Sequence, residues 1–253
     1  MLTFQAITME LLVFGLGLIL LLAKLIAKKG AALPYGWITV LGLVVIGVVG
    51  IIYPPEVGIV FNGMYYTDSY SLFFKELILV CAVLISLCST DYVKRKGYSE
   101  AEYYILLVFA TLGMMVFTAA GDLITLYVGL ELMTMSFIVL IGIVRRNALS
   151  SEAAIKYLVL SGLSSAVMLY GISLIYGFMG TTVLLEMSMN IYAFSHTAFM
   201  VVGVLFFLAG FAYKLSAVPF HMWAPDIYQG APTPVAGFLA VGAKVATLGV
   251  LCR

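Results

Sequence analysis

Glu131, Lys214 and Lys244 are ionisable side chains set deep inside apolar stretches, and the chemistry open to them is binding and releasing protons. A lysine at the centre of a bilayer costs roughly 2.5 to 3.5 kcal/mol on insertion scales, so two of them need partners, water or a task. Glu131 lies nine residues into its apolar run, about 14 Å deep at 1.5 Å per residue. Lys244 lies about twelve residues into the last run, about 18 Å along its helix. Opposite charges therefore share one level. Burial disfavours a charged lysine and a nearby carboxylate favours it, so separating or rehydrating such a pair changes its hold on a proton. The plainer reading of Glu131 is a protonated carboxyl bonded to a neighbouring helix.

Lys214 stands in the stretch FAYKLSAVPFHMWAPDIYQGAPTPVAGFLAVGAKVATLGV, residues 211 to 250, where prolines, glycines and charges gather. Its apolar segment, 197–229, would run about 45 to 50 Å as one straight helix, too long for a membrane unless it bends or breaks. Pro219 cannot donate to the carbonyl of Leu215 and its ring clashes there, and Pro225 stands likewise to His221. The expectation is a discontinuous helix with Lys214 at the break, its freed backbone groups satisfied by polar side chains or water. His221 has two readings, a proton relay near neutral pH or a structural hydrogen-bonder beside the break. Trp223 and Tyr228 read as an interfacial anchor, and the Pro-Thr-Pro at 232–234 as the start of the next helix. Tyr213, Ser216, Thr134, Ser136, Ser164 and Ser165 offer hydroxyls that could hold bridging waters or simply join helices.

The elements that must position these groups are transmembrane helices. The chain has 253 residues, 64% hydrophobic and only 10% charged, far from the composition of soluble domains. Runs long enough to cross a core of about 30 Å fall near 9–27, 36–53, 72–90, 102–120, 122–143, 153–179, 197–229 and 232–252. The fold class expected is all-α, a polytopic bundle of about eight helices with a discontinuous seventh. Lys24, Lys28 and Lys29, then Lys94, Arg95 and Lys96, then Arg145, Arg146 and Lys156 mark alternate connections. By the positive-inside rule those are cytoplasmic, which puts the N-terminus outside. The connection PPEVGIVFNGMYYTDSYS is then external, and its alternation around Asn62-Gly63 suggests a hairpin. TTVLLEMSMNIYAFSH is the second external connection.

Other features point to packing. Ala119-Ala120-Gly121-Asp122 turns so tightly that the fourth and fifth spans must be antiparallel neighbours, with Asp122 as an N-cap. SGLSSA at 161–166 offers small residues for close helix approach. Cys81, Cys88 and Cys252 sit in apolar runs without metal-ligand spacing. The N-terminus carries Glu10 and lacks the basic start and small-residue cleavage site of a signal peptide, so it reads as a retained first helix. A net charge of +1 argues against a nucleic-acid surface.

Three stretches carry a family resemblance: GLELMTMSFIVL at 129–140, SSEAAIKYLVLSGLSSAVMLYGISLIYGFMGTT at 150–182, and FAYKLSAVPFHMWAPDIYQGAPTPVAGFLAVGAKVATLGVL at 211–251. Together they resemble the antiporter-like membrane subunits of NADH-quinone oxidoreductase, respiratory complex I, most closely the chain N branch, counterpart of mitochondrial subunit 2. The resemblance implies a proton-translocating subunit with its membrane glutamate at Glu131, its broken-helix lysine at Lys214 and the next helix's lysine at Lys244. It implies that NADH, flavin, iron–sulfur clusters and quinone belong to other subunits, leaving no cofactor in this chain. It implies partners among the other complex I membrane subunits; the location expected is a bacterial plasma membrane, with an organelle inner membrane as the alternative. Members of the family continue into a second, inverted repeat. The expectation here is one transmembrane domain, 1–253, made of a three-helix portion, 1–100, and the first five-helix repeat, 101–253. Two other functions are compatible with the charges: a subunit of a multi-component cation/proton antiporter, and a non-catalytic assembly element.

Overall fold

The computed structural model describes residues 2–27, 33–144, 146–194 and 198–253. Lys28, Lys29 and Arg145, counted above among the cytoplasmic charges, lie outside them. A short α1 (Leu2–Ala6) leads into α2 (Thr8–Ile26) and α3 (Tyr35–Ile52), followed by strands β1 (Gly58–Val60) and β2 (Tyr65–Thr67). Then come α4 (Ser69–Lys96), α5 (Glu100–Thr118), α6 (Leu123–Ile141) and α7 (Ala148–Met179). The chain finishes with α8 (Leu184–Phe194), α9 (Ala198–Leu215), α10 (Ala224–Gly230) and α11 (Thr233–Leu251). Eight of these helices, α2 to α7, α9 and α11, are long and apolar enough to span a membrane. The protein is an integral, multi-pass, all-α membrane protein.

The hairpin expected around Asn62-Gly63 forms, with Gly58 opposite Thr67 and Val60 opposite Tyr65. Its loop is longer than a two-residue turn: Phe61, Asn62 and Gly63 all take positive φ, and Met64 N–H closes onto Phe61 C=O at 3.1 Å. Most of the second connection winds into α8. Both connections meet the α5–α6 turn. Tyr66 N–H donates to Ala119 C=O at 2.9 Å, Gly121 N–H to Met64 C=O at 2.7 Å, and Leu184 N–H to Gly121 C=O at 3.0 Å. Backbone bonds thus bind one end of the bundle into a belt.

α5 is the central helix, buried on nearly all sides. Its tightest neighbour is α6, as the short turn demanded. Gly113 and Gly129 make the crossing possible, because a Cβ on either would strike main-chain atoms of the other helix. Asp122 caps α6 as expected, accepting from Thr125 N–H at 3.0 Å and Ile124 N–H at 3.2 Å. In the stretch 161–166, Ser161 and Ser165 are buried while a Cβ at Gly162 would meet nothing; α7 and α9 approach closely at Gly171 and Gly203.

Candidate functional site

The long apolar segment 197–229 is discontinuous, with α9 ending at Leu215 and a run of turns crossing to α10. Ser216 takes φ +57° and the Val218–Pro219 peptide is cis. Ser216 N–H donates to Tyr213 C=O at 3.0 Å and Ala217 N–H to Ala212 C=O at 2.8 Å, so part of the freed backbone is satisfied within the break. Pro225 plays another part than expected. It lies in the first turn of α10, where its missing N–H costs nothing, and His221 C=O accepts from Ala224 N–H at 3.1 Å.

Lys214 is the penultimate residue of α9 and is buried. Carbonyls at a helix C-terminus carry partial negative charge that favours a cation there. Its ammonium donates to Thr134 Oγ1 at 2.6 Å. That hydroxyl spends its own proton on Leu130 C=O at 2.7 Å, leaving a lone pair for the lysine. Thr134 stands one turn along α6 from Glu131, the ninth of that helix's 19 residues. Glu131 makes no ion pair with Lys214, although its carboxylate acts on the ammonium through space. Its direct partner is Ser165 of α7, whose hydroxyl donates to it.

Lys244 reaches the other side of the break from α11, donating to Ser216 Oγ at 3.1 Å and Tyr228 Oη at 3.0 Å. It also lies 5.9 Å from the ring centre of Trp223 and 5.7 Å from that of Tyr228, within cation–π range. Lys244 thus binds the break at Ser216, two residues beyond Lys214. Trp223 and Tyr228 are not an interfacial anchor. Trp223 is buried, donates its indole N–H to Tyr213 C=O at 3.0 Å and stacks on the Tyr213 ring at 5.3 Å. The reason is geometric: the break folds back beneath α9 and carries both rings inward. His221 lies on the exposed side of that turn and is not brought to the other three. Tyr213 Oη and Ser164 Oγ are buried without a hydrogen-bond partner, as are several polar atoms at the hairpin end of the bundle. There Glu10 and Lys75 form a buried ion pair that composition and spacing did not single out.

Residues 120–253 match the family model described as NADH:quinone oxidoreductase/Mrp antiporter, TM. Among curated proteins, the chain is similar to NADH-quinone oxidoreductase subunit N of Desulforamulus reducens, 46% identical over 99% of this chain and 52% of that protein. It is also similar to subunit N of Moorella thermoacetica, 44% identical over 98% of this chain and 52% of the relative. The chain thus spans about half the length of these curated relatives. Among solved structures, a chain of respiratory complex I from Thermus thermophilus with bound aureothin matches with TM-score 0.79 and 28% identity. That match covers 96% of this chain and 52% of the other. An archaeal membrane-bound sulfane sulfur reductase shares the fold with TM-score 0.80 at 24% identity, over 94% of this chain and 51% of that one. On these matches, together with eight membrane-spanning helices and a discontinuous one, the chain belongs to the NADH:quinone oxidoreductase/Mrp antiporter transmembrane family.

Proposed function

We propose that this chain is a proton-translocating membrane subunit of an NADH-quinone oxidoreductase, coupling electron transfer elsewhere in the complex to proton movement along Glu131, Lys214 and Lys244. The observation that carries the reading is Lys214 itself, buried at the end of a broken helix and held on Thr134 one turn from Glu131. An ammonium resting on a neutral hydroxyl, with its counter-charge nearby but not in contact, is poised to respond to small movements. When Glu131 approaches, the charged lysine is favoured; when it recedes, desolvation favours release, and the proton passes by way of Ser216 toward Lys244. A discontinuous membrane helix supplies the hinge such a shift needs.

In this reading NADH, flavin, iron–sulfur clusters and quinone are held by other subunits, and this chain moves protons without redox chemistry of its own. Its partners are the other membrane subunits of the complex and the bilayer of a bacterial plasma membrane, with the N-terminus outside. His221, exposed on the break, has at most the part of a surface relay. The division into a three-helix portion, 1–100, and a five-helix repeat, 101–253, belongs to the same reading.

The test is Lys214→Ala in the assembled complex, with proton translocation and quinone reduction measured together in vesicles. Translocation is expected to fall at least tenfold in complexes that still assemble; pumping at the wild-type level would overturn the proposal. The rival from the same family is a cation/proton antiporter subunit. Sodium-dependent proton exchange without NADH, lost in the same variant, would favour it.

A further inference from the structure

Glu10 is the third residue of α2 and Lys75 the seventh of α4. Lys75 Nζ lies 2.9 Å from Glu10 Oε1, and the side chains are 0% and 8% exposed. Tyr65 of β2 closes the site, with its ring centre 5.0 Å from the same ammonium. Burial, and after it the Glu10 carboxylate, hold the Tyr65 phenol well above its ordinary value. What sets the group apart is how little of it is hydrogen-bonded. Both Glu10 oxygens, Lys75 Nζ and Tyr65 Oη lack an aligned hydrogen-bond partner, and so does Glu76 Oε1 beside them on α4.

A buried ion pair recovers its desolvation cost only when further hydrogen bonds satisfy the remaining lone pairs and protons. Here the one further group beside the carboxylate is the Tyr65 phenol, and it makes no aligned hydrogen bond. Two apolar residues of similar volume would hold α2 against α4 at least as well, so stability alone gives no reason for this pair. The geometry instead gives each partner a second state. A proton arriving on the carboxylate removes the counter-charge, and the ammonium still has the face of Tyr65. The carboxyl oxygen turned away from Lys75 and the phenol, neither in an aligned hydrogen bond, offer positions for the water that would deliver the proton.

We propose that Glu10, with Lys75 and Tyr65, is a second proton-binding site, at the hairpin end of the bundle and separate from the row at mid-membrane. In the step, a hydronium reaching the site from the hairpin side gives its proton to a Glu10 oxygen and leaves as water, the Oε1–Nζ ion pair is lost, and the site goes from neutral to a single positive charge on Lys75. The other ionisable groups facing it are Glu76 from α4, Tyr65 from the hairpin, and Arg253 beyond α11, which acts on that tyrosine. On the remaining flanks, α3 carries no ionisable side chain from Gly36 to Ile52, α5 carries none from Ile105 to Thr118, and α1 carries none from Leu2 to Ala6. A charge change here has a path to the rest of the molecule. Tyr65 bridges to Ala120, and the hairpin is bonded to the turn that begins α6, the helix of Glu131.

The experiment is infrared difference spectroscopy of the assembled complex in membranes, stepped from neutral to acid pH and, separately, from resting to turnover. Wild type is compared with Glu10→Gln. A protonated-carboxyl band present in wild type and absent from E10Q is expected in both difference spectra, and identical spectra would overturn the proposal. Should E10Q fail to assemble because Lys75 is left uncompensated, the double variant E10Q/K75M, whose pair is neutral, takes its place. A double variant that assembles and keeps the wild-type band overturns the proposal equally. The acid-step measurement does not rest on the function proposed above: Lys214→Ala can abolish pumping while the Glu10 band persists, and the reverse outcome is equally readable.

Discussion

At the scale of single residues, the site turns on which atom holds each ammonium. Lys214 has one direct polar partner among the described residues, Thr134 Oγ1. A hydrogen bond to a charged group is worth about 1.5 to 3 kcal/mol, so Thr134→Val should shift the protonation equilibrium of Lys214 toward the neutral amine by about 10- to 150-fold. Proton translocation should fall accordingly, while Thr134→Ser keeps the hydroxyl and should restore it. Wild-type pumping in the valine variant would show that the threonine is only a helix contact. Lys244 is held differently, by both Ser216 and Tyr228. Tyr228→Phe leaves the Ser216 bond and the ring face, so its loss should be smaller, a few-fold in pumping rate. The double variant Tyr228→Phe with Ser216→Ala should approach the loss expected of Lys244→Met. If the single and double variants behave alike, the proton does not pass through this shared lysine.

At the scale of elements, helices and their order are legible because a membrane demands about 20 apolar residues per crossing, and Pro219 announces the break. What the apolar pattern hides is how the helices meet. Trp223 and Tyr228 look like an anchor in sequence because aromatic residues crowd membrane interfaces, yet the folded-back turn carries them into the site. Glu10 and Lys75 are 65 positions apart, and nothing local in either helix reports that they touch. Contacts of this kind rest on crossings such as that of α5 with α6, where main chains meet at Gly113 and Gly129. Gly129→Val places a branched side chain against Phe117 main chain. Overpacking of this sort typically costs about 1 to 3 kcal/mol, so the amount of folded chain recovered from membranes should drop several-fold. Unchanged recovery would mean that the helices can separate there.

Asp68 offers a test at the start of α4. It caps the helix, accepting from Ser71 N–H at 2.7 Å, and pairs with Arg253. Burial alone would raise its carboxyl, but the Ser71 N–H and the Arg253 guanidinium outweigh that and hold it below the ordinary value. A depressed carboxylate stabilises the fold fully above its unfolded value of about 3.9 and loses that contribution as pH falls through the lower folded value. Asp68→Ala should therefore cost about 1 kcal/mol at neutral pH, read from unfolding midpoints in detergent. The gap to wild type should close in acid; a gap constant with pH would remove the ion from the account.

Over the whole molecule the charges divide by end. Lys24, paired with Glu102 at 2.5 Å, joins Lys94, Arg95, Lys96, Arg146 and Lys156 at the end opposite the hairpin, where Lys156 also binds Asp226 of α10 at 2.7 Å. At the hairpin end stand Arg253, neutralised by Asp68, and the buried Lys75. Orientation follows the excess of lysine and arginine near helix ends, and the hairpin end carries only Arg253 and the buried Lys75 among the described residues. That end should face outward, so a proton released from Glu10 would leave on the side opposite to the basic connections. In a background with Cys81, Cys88 and Cys252 replaced by serine, a membrane-impermeant maleimide added to intact cells should label Asn62→Cys in the hairpin loop. It should not label Lys96→Cys, at the far end of α4, until the membrane is opened. Labelling in the reverse order would invert the topology and turn the direction proposed for the Glu10 site inward, whereas labelling of both in intact cells would mean that the two ends are not divided by the bilayer.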